Sequence, residues 1–375
     1  MHILIVALHR ADKPTGVCRH AANLARCLAE TDEVTKITLV TGAWQQHYFK
    51  TAFLLNSDKI QPLAIDINNT SIARNAWFLL GLPKLVKKLQ PDLVHLSFPL
   101  PFLRAYISCP VVVTVHDLYP YKIPENFGYK QALFNRLFLQ QCLKNSDAII
   151  CVSQATLEDL EYYFPEIASR HQKAKVIYNI VDFTLVNAKP LKVLADKSSS
   201  PFILCVGQHR KNKNIDLLIK SYALLRHERK LNDNTRLIVV GSVGPETENL
   251  VRSIEQLSLI DSVSILSEID DSELCWLYQN CELFVIPSSL EGFCIPLVEA
   301  LYFSCKVVCS DIPIFREIGS SNCTYFDLMG DPVGNMSQSI AQSLTAELPL
   351  GYDDCARFEI KEIATQYLNY YSELI

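Results

Sequence analysis

Two glutamates eight residues apart bracket the segment Glu291-Gly292-Phe293-Cys294-Ile295-Pro296-Leu297-Val298-Glu299. Carboxylate pairs hydrolyse glycosides when their carboxyls stand about 5–9.5 Å apart. Eight residues of helix span about 12 Å of axis, and the backbone before a proline is more extended than a helix. The pair is therefore too widely spaced to share one glycosidic bond, and suits the two ends of one long ligand. Pro296 suits the first helical position, where its missing N–H costs nothing. The N–H groups of Gly292, Phe293, Cys294 and Ile295 then face outward from a helix start, a natural seat for an anion. A nucleotide-sugar fits this layout, with its sugar and ribose at the two carboxylates and its diphosphate between them.

Three further segments hold candidate chemistry. In Gly207-Gln208-His209-Arg210-Lys211-Asn212-Lys213-Asn214, the cations Arg210, Lys211 and Lys213 surround a glycine turn just ahead of a helix-length stretch. Backbone donors and fixed positive charge at such a place suit a pyrophosphate, the alternative being a solvated basic loop. In Pro14-Thr15-Gly16-Val17-Cys18-Arg19-His20, Gly16 at a strand-to-helix turn lets backbone approach a ligand closely. The spacing lacks the Gly-x-Gly-x-x-Gly of a dinucleotide fingerprint, which argues against an NAD-dependent dehydrogenase. His116 and Asp117 follow a buried strand in Thr114–Pro120, a position as compatible with a site as with an ordinary surface loop.

These segments need a scaffold, and the hydrophobic pattern supplies one. Apolar β-rich runs occur at 2–8, 37–41, 93–96, 111–115, 148–152 and 175–178, with helix-length amphipathic stretches at 17–30, 82–90 and 130–144. A second series has strands at 202–206, 236–240, 263–266, 283–286 and 306–309, separated by helices at 215–228, 246–257, 271–280 and 295–302. Alternation of continuous apolar strands with helices implies parallel sheets covered on both faces. The expected fold is α/β, with two doubly wound domains at 1–187 and 188–355 joined through a Ser- and Lys-rich linker at 187–201. A last helix, 358–374 within residues 356–375, packs back on the first domain or stays with the second. Ligands of doubly wound sheets bind beyond the carboxyl ends of the strands, so the expected site is the cleft between the domains.

Composition agrees with this class. A chain of 375 residues exceeds one typical core. No apolar run reaches about 18 residues, so no membrane span is expected. The opening apolar burst has no basic leader or cleavage site, and reads as a strand. The 13 cysteines include no Cys-x-x-Cys pair, which points to buried thiols in a reducing cytoplasm and away from a zinc site. Residues 1–190 carry 20 Lys and Arg against 15 Asp and Glu, whereas the remainder carries 15 against 25. The basic first half fits an anionic acceptor or a peripheral contact with the cytoplasmic membrane face. No nucleic-acid partner is expected.

Taken together, these residues resemble the retaining glycosyltransferases of family four, which adopt the GT-B fold of two Rossmann-like domains facing a cleft. The resemblance runs through nearly the whole chain, and the two glutamates with seven residues between them are its most specific part. Thr15-Gly16-Val17, Val115-His116-Asp117-Leu118, 147–153, 176–182, Val206-Gly207 with Lys213-Asn214, 274–278 and 312–317 add to it. The resemblance implies that Glu291 binds hydroxyls of the transferred sugar, and that the backbone of 292–295 holds sugar and diphosphate. It also implies that Glu299 holds the ribose, Lys213 neutralises the departing diphosphate, His116 approaches the donor sugar and Gly16 lines the phosphate side. No metal or other cofactor is implied beyond the nucleotide-sugar co-substrate.

Four positions depart from the family pattern. Gln208 stands where arginine is frequent, which passes the second phosphate charge to Arg210 or Lys211. Cys294, Ile180 and Ser304 stand where glycine is usual. The expected activity is transfer of a hexose to a glycan or lipid-linked saccharide in polysaccharide biosynthesis. The 116–120 loop looks like members that use GDP-mannose. A nucleotide-sugar epimerase and a non-catalytic binding protein of the same fold are the alternatives.

Overall fold

The computed structural model describes the chain except residues 54, 125–128, 171–173, 185, 192–199, 268 and 347–352. Residues 192–199 of the expected linker therefore lie outside the described residues. Contacts divide the chain into two compact units, Met1–Ile180 with Arg357–Ile375, and Val181–Ala356. Residues just past Ile180 belong with the second unit, where the Phe183 ring lies 4.9 Å from Phe303 and 5.9 Å from Tyr302.

The first unit is built on seven strands: β1 (His2–Val6), β2 (Lys36–Gly42), β3 (Ile60–Ile65), β4 (Leu93–Leu96), β5 (Val111–Val115), β6 (Ala148–Cys151) and β7 (Ala174–Val176). Their order is β3-β2-β1-β4-β5-β6-β7, and every neighbouring pair is parallel. β1 is thus the point where the winding reverses. Alternate residues of β1 serve opposite faces: Ile3 and Ile5 meet the helix Gly16–Ala29, and Leu4 and Val6 meet the helical stretch through Phe78, Leu82 and Val86. Both faces are apolar because both are covered, as parallel sheets require.

The helix Ile360–Ser372 completes the first of these faces. Ile363, Ala364, Tyr367, Tyr370 and Tyr371 are buried in the same cluster as the helix Gly16–Ala29. Tyr371 Oη lies 2.7 Å from His95 Nδ1, while His95 Nε2 lies 2.9 Å from Thr114 Oγ1. Burial pushes the Tyr371 hydroxyl up and the His95 ring down to about 3, so the pair is neutral and fully hydrogen-bonded inside the core.

The second unit has six parallel strands: β8 (Phe202–Val206), β9 (Arg236–Val240), β10 (Val263–Leu266), β11 (Leu283–Ile286), β12 (Val307–Ser310) and β13 (Thr324–Phe326). Their order is β10-β9-β8-β11-β12-β13. The winding reverses at β8, between β9 and β11. In this topology ligands collect where the loops after the two central strands part in opposite directions. Those loops are 207–214 and 287–294, both singled out from the sequence.

Two strands escape a pattern-based reading. β3 contains Pro62 and β13 has three residues, and both lie at sheet edges. An edge strand needs only one ladder, so it tolerates a proline and can be short. The helix expected at 82–90 is also longer than its pattern: Ser71–Ala76 and a π-turn at Trp77–Gly81 lead directly into Leu82–Leu89.

Candidate functional site

The loops after β8 and β11 are tied to each other. Asn212 Nδ2 donates to the Leu290 carbonyl (3.0 Å), the Ser289 N–H to the Asn212 carbonyl (2.8 Å), and Asn214 Nδ2 to the Pro287 carbonyl (2.9 Å). Asn214 has φ 49°, a left-handed conformation that asparagine tolerates better than most residues. It closes the 3-10 turn Lys211–Lys213 and opens the helix Ile215–His227. That turn aims Lys213 at the other loop.

There Lys213 Nζ lies 2.5 Å from Glu291 Oε1, with side chains 18% and 6% exposed. Burial pulls the Lys213 ammonium down. The Glu291 charge and hydrogen bond, together with the Cys294 thiol, outweigh it and hold the lysine above its ordinary range. The ammonium is thus a permanent positive charge in a poorly hydrated place, where it acts more strongly than in water. Arg210 and Lys211 are exposed, and neither has an ion-pair partner among the described residues.

Beyond Glu291, Phe293 and Cys294 are buried, and the helix runs Ile295–Tyr302. Pro296 is its second residue, one later than its sequence suggests. The shift has a local cause. Cys294, the N-cap, has φ 71° and ψ 72°, so the chain enters the helix through a left-handed residue and Ile295 is the first helical position. The N–H groups of Cys294 and Ile295 have no backbone acceptor among the described residues. They are the orphan donors a helix start offers to an anion. Burial pushes the Cys294 thiol up; Glu291 adds to this and Lys213 opposes it.

Glu299 is buried one turn into the helix, and its Oε2 accepts from Tyr278 Oη at 2.8 Å. Burial first, then the Glu299 charge, push the Tyr278 hydroxyl well above its usual value, so it remains a donor. Three buried polar atoms in the same two loops, His209 Nε2, Asn212 Oδ1 and Ser288 Oγ, have no hydrogen-bond partner among the described residues. Buried polar groups are normally paired, so this concentration marks a place built to receive polar atoms from outside.

Several contributors were not singled out from the sequence. Gly241 and Gly244 follow β9, and a Cβ on either would collide with the carbonyl of Gly207 or His209 respectively. The two glycines let the segment after β9 close on the loop after β8. Their spacing at a strand's carboxyl end is a signal that could have been read. At Gly207 itself a Cβ would make only ordinary contact, 3.6 Å from Lys213 Cδ. Asn212 carries no such signal.

Gly16 and His116 lie in the first unit. A Cβ on Gly16 would meet nothing within 4 Å, so the protein's own packing does not demand glycine there. Thr15 caps the following helix, its hydroxyl accepting from the Cys18 N–H. His116 Nε2 donates to the Ser97 carbonyl (2.8 Å), which leaves Nδ1 as the acceptor of a neutral ring. Burial holds that ring down at about 4. Its edge packs on His20 at 4.8 Å, and His20 Nδ1 in turn bonds Asn179 Oδ1 (2.8 Å). Asp117 Oδ1 accepts from the Tyr119 N–H and shapes the turn.

Residues 14–185 match the family model described as Glycosyltransferase Family 4, and residues 189–325 match that described as Glycosyl transferases group 1. The chain belongs to family four of the glycosyltransferases. The transferase is 26% identical over 329 residues to the O-antigen chain mannosyltransferase RfbU of Salmonella typhimurium, with 86% of each chain covered. A Campylobacter jejuni protein, N-acetylgalactosamine-N,N'-diacetylbacillosaminyl-diphospho-undecaprenol 4-alpha-N-acetylgalactosaminyltransferase, is 33% identical over 180 residues, 48% of this chain and 46% of that one. HepE of Anabaena, solved in complex with UDP and glucose, shares the fold, with a TM-score of 0.68 at 18% identity over the full length of both chains. Each unit is a parallel-sheet Rossmann-like domain, and the architecture is GT-B. Among the described residues no helix is long and apolar enough to cross a membrane.

Proposed function

We propose that this transferase moves a hexose, with retention of configuration, from a nucleoside-diphosphate sugar to a saccharide or lipid-linked acceptor in polysaccharide synthesis. The observation that carries the reading is the Lys213–Glu291 pair beside the helix start at Cys294-Ile295, where the winding of the second sheet reverses. The diphosphate sits against the orphan N–H groups of Cys294 and Ile295 and exchanges with Glu291 for the Lys213 ammonium. Arg210 and Lys211 add charge from the same loop. Glu291, released, accepts from hydroxyls of the sugar, and Glu299 from those of the ribose. The second unit thus holds the donor, and the first receives the acceptor, with Gly16 and His116 as its contributions to the reaction.

In the transfer step the bond from the anomeric carbon to the diphosphate oxygen breaks, and its electron pair stays on the diphosphate. Lys213 and the helix start stabilise that developing charge without having to reorganise. The acceptor hydroxyl forms its new bond on the face the diphosphate leaves, and its proton passes to a diphosphate oxygen. No side chain becomes a nucleophile.

Similarity to RfbU favours a mannosyl donor such as GDP-mannose. The Anabaena neighbour bound to UDP and glucose makes UDP-glucose the donor to compare with it. The diphospho-undecaprenol substrate in the Campylobacter relative's name favours a lipid-diphosphate acceptor. Ligands that bind the folded state raise its melting temperature, so a melting screen against GDP, UDP and their sugars ranks donors directly. The anomeric coupling in the NMR spectrum of the product reports the stereochemistry. Donor consumption that needs no acceptor and yields an isomeric nucleotide-sugar would establish an epimerase instead. Binding without release of nucleoside diphosphate would establish a non-catalytic protein.

A further inference from the structure

Just past β1, where the first sheet reverses its winding, the chain is fixed from several sides. The His9 N–H donates to Gln45 Oε1 (3.0 Å), the His9 carbonyl accepts from Trp44 Nε1 (3.0 Å), and the His9 ring meets Phe98 edge-on at 5.2 Å. The next residue is Arg10. Its carbonyl accepts from Asn69 Nδ2 at 3.0 Å, and Oδ1 of the same Asn69 accepts from the Arg74 guanidinium. One asparagine thus brings two arginines to the same end of the sheet.

Neither arginine has a carboxylate at ion-pair distance among the described residues. The nearest acids in sequence, Asp12 and Asp66, are exposed and take no part in an ion pair among the described residues. The two cations feel each other: Arg74 is held below its ordinary value first by burial and then by Arg10. The His9 ring is held down at about 4 by burial, then by Arg10, Arg74 and His116. A fold gains nothing by gathering uncompensated cations, and such clusters are a mark of binding sites.

We propose that Arg10 and Arg74 form a binding site for a phosphate or diphosphate group of the acceptor. This rests on the reading of the chain as a transferase whose first unit takes the acceptor. Two guanidinium forks present paired N–H donors to an anion with several oxygens, and their two charges suit a diphosphate better than a single carboxylate. The carboxyl end of the central strand at the winding reversal is where this topology places ligands.

Binding of farnesyl diphosphate, inorganic pyrophosphate and farnesol is measured by calorimetry on the wild-type chain, on Arg10→Ser/Arg74→Ser and on Lys213→Ala. Farnesyl diphosphate is expected to bind at least tenfold more weakly to the arginine variant and to keep its arginine-dependent binding in Lys213→Ala, with no binding of farnesol. Equal arginine-dependent binding of pyrophosphate would support the site and confine recognition to the phosphates; tighter binding of the ester would extend it to the lipid. Binding that survives in the arginine variant and is lost in Lys213→Ala overturns the proposal. Arg10→Ser alone, at an exposed position, repeats the test should the double variant fail to fold. Release of nucleoside diphosphate from the donor, assayed separately, reports on the transferase reading: its absence alongside arginine-dependent binding would sink that reading and leave the anion site standing.

Discussion

Lys213 Nζ and Glu291 Oε1 stand 2.5 Å apart, so the cation proposed for the diphosphate and the carboxylate proposed for the sugar neutralise each other within the protein. The pair holds the Lys213 ammonium charged despite its burial. Truncating one partner strands a buried charge, which typically costs about 3–5 kcal/mol, whereas replacing both with apolar groups is often neutral. Lys213→Ala and Glu291→Gln are each expected to cut turnover at least about a hundredfold, the scale of losing an electrostatic group at a developing charge. Lys213→Ala should also lower the urea midpoint. Lys213→Met/Glu291→Leu should recover the midpoint and remain inactive. Wild-type turnover in both single variants would remove the two residues from the mechanism.

Two of the three positions where glycine is usual keep a glycine-like backbone with another residue on it. Cys294 has φ 71° and Ser304 has φ 55°, whereas Ile180 is not among the left-handed residues. A left-handed residue with a Cβ is strained by about 1–2 kcal/mol. Ser304→Gly, at an exposed position, is therefore expected to stabilise the chain by about 1 kcal/mol, read as a higher urea midpoint. In Cys294→Gly the relief is offset by the loss of a buried thiol. Its midpoint should hold still while the Michaelis constants for competing donor sugars change relative to one another. A donor profile identical to wild type would show that the thiol does not shape the pocket.

Glu299 depends on Tyr278 for its position. Tyr278→Phe removes the 2.8 Å donor to Oε2 while keeping the ring packed between Phe284 and Phe303. The expected kinetic result is a raised Michaelis constant for the donor, several-fold in Tyr278→Phe and larger in Glu299→Ala, with kcat less affected. A fall in kcat alone would argue against a ribose-holding role.

The histidines of the first unit make stability depend on pH. His9 and His116 are held at about 4 and His95 at about 3, in each case chiefly by burial. The unfolded chain binds protons on these rings below about 6.5, and the folded chain does not until the pH nears their lowered values. Stability is therefore fully present above about 6.5 and declines as the pH falls toward 4, by on the order of 1–2 kcal/mol per ring at pH 5. Urea melts at pH 7 and pH 5 check this. Equal midpoints would mean that the rings take up protons within the fold.

How far the sequence reveals these features depends on how local each one is. The central strands and the loops after β8 and β11 are legible because apolar runs, glycines and cations lie within a few residues of one another. β3 is not, because Pro62 breaks its pattern and its edge position forgives the break. The helix at 295–302 is legible, but Pro296 reads as its first residue and is its second, because proline statistics cannot see that Cys294 is left-handed. The Lys213–Glu291 contact is invisible for a different reason. It joins residues 78 apart and exists only because Asn212 and Asn214 fasten two loops together. Asn69 likewise unites Arg10 and Arg74 across 59 residues on one side and 5 on the other.

The helix Ile360–Ser372 adds a matter of timing. Tyr371, which bonds His95, is translated 276 residues after it. During synthesis the second unit emerges whole while one face of the first sheet still lacks the tyrosines that cover it. The nascent first unit thus carries open apolar surface until that helix emerges, the period when chaperones would engage it.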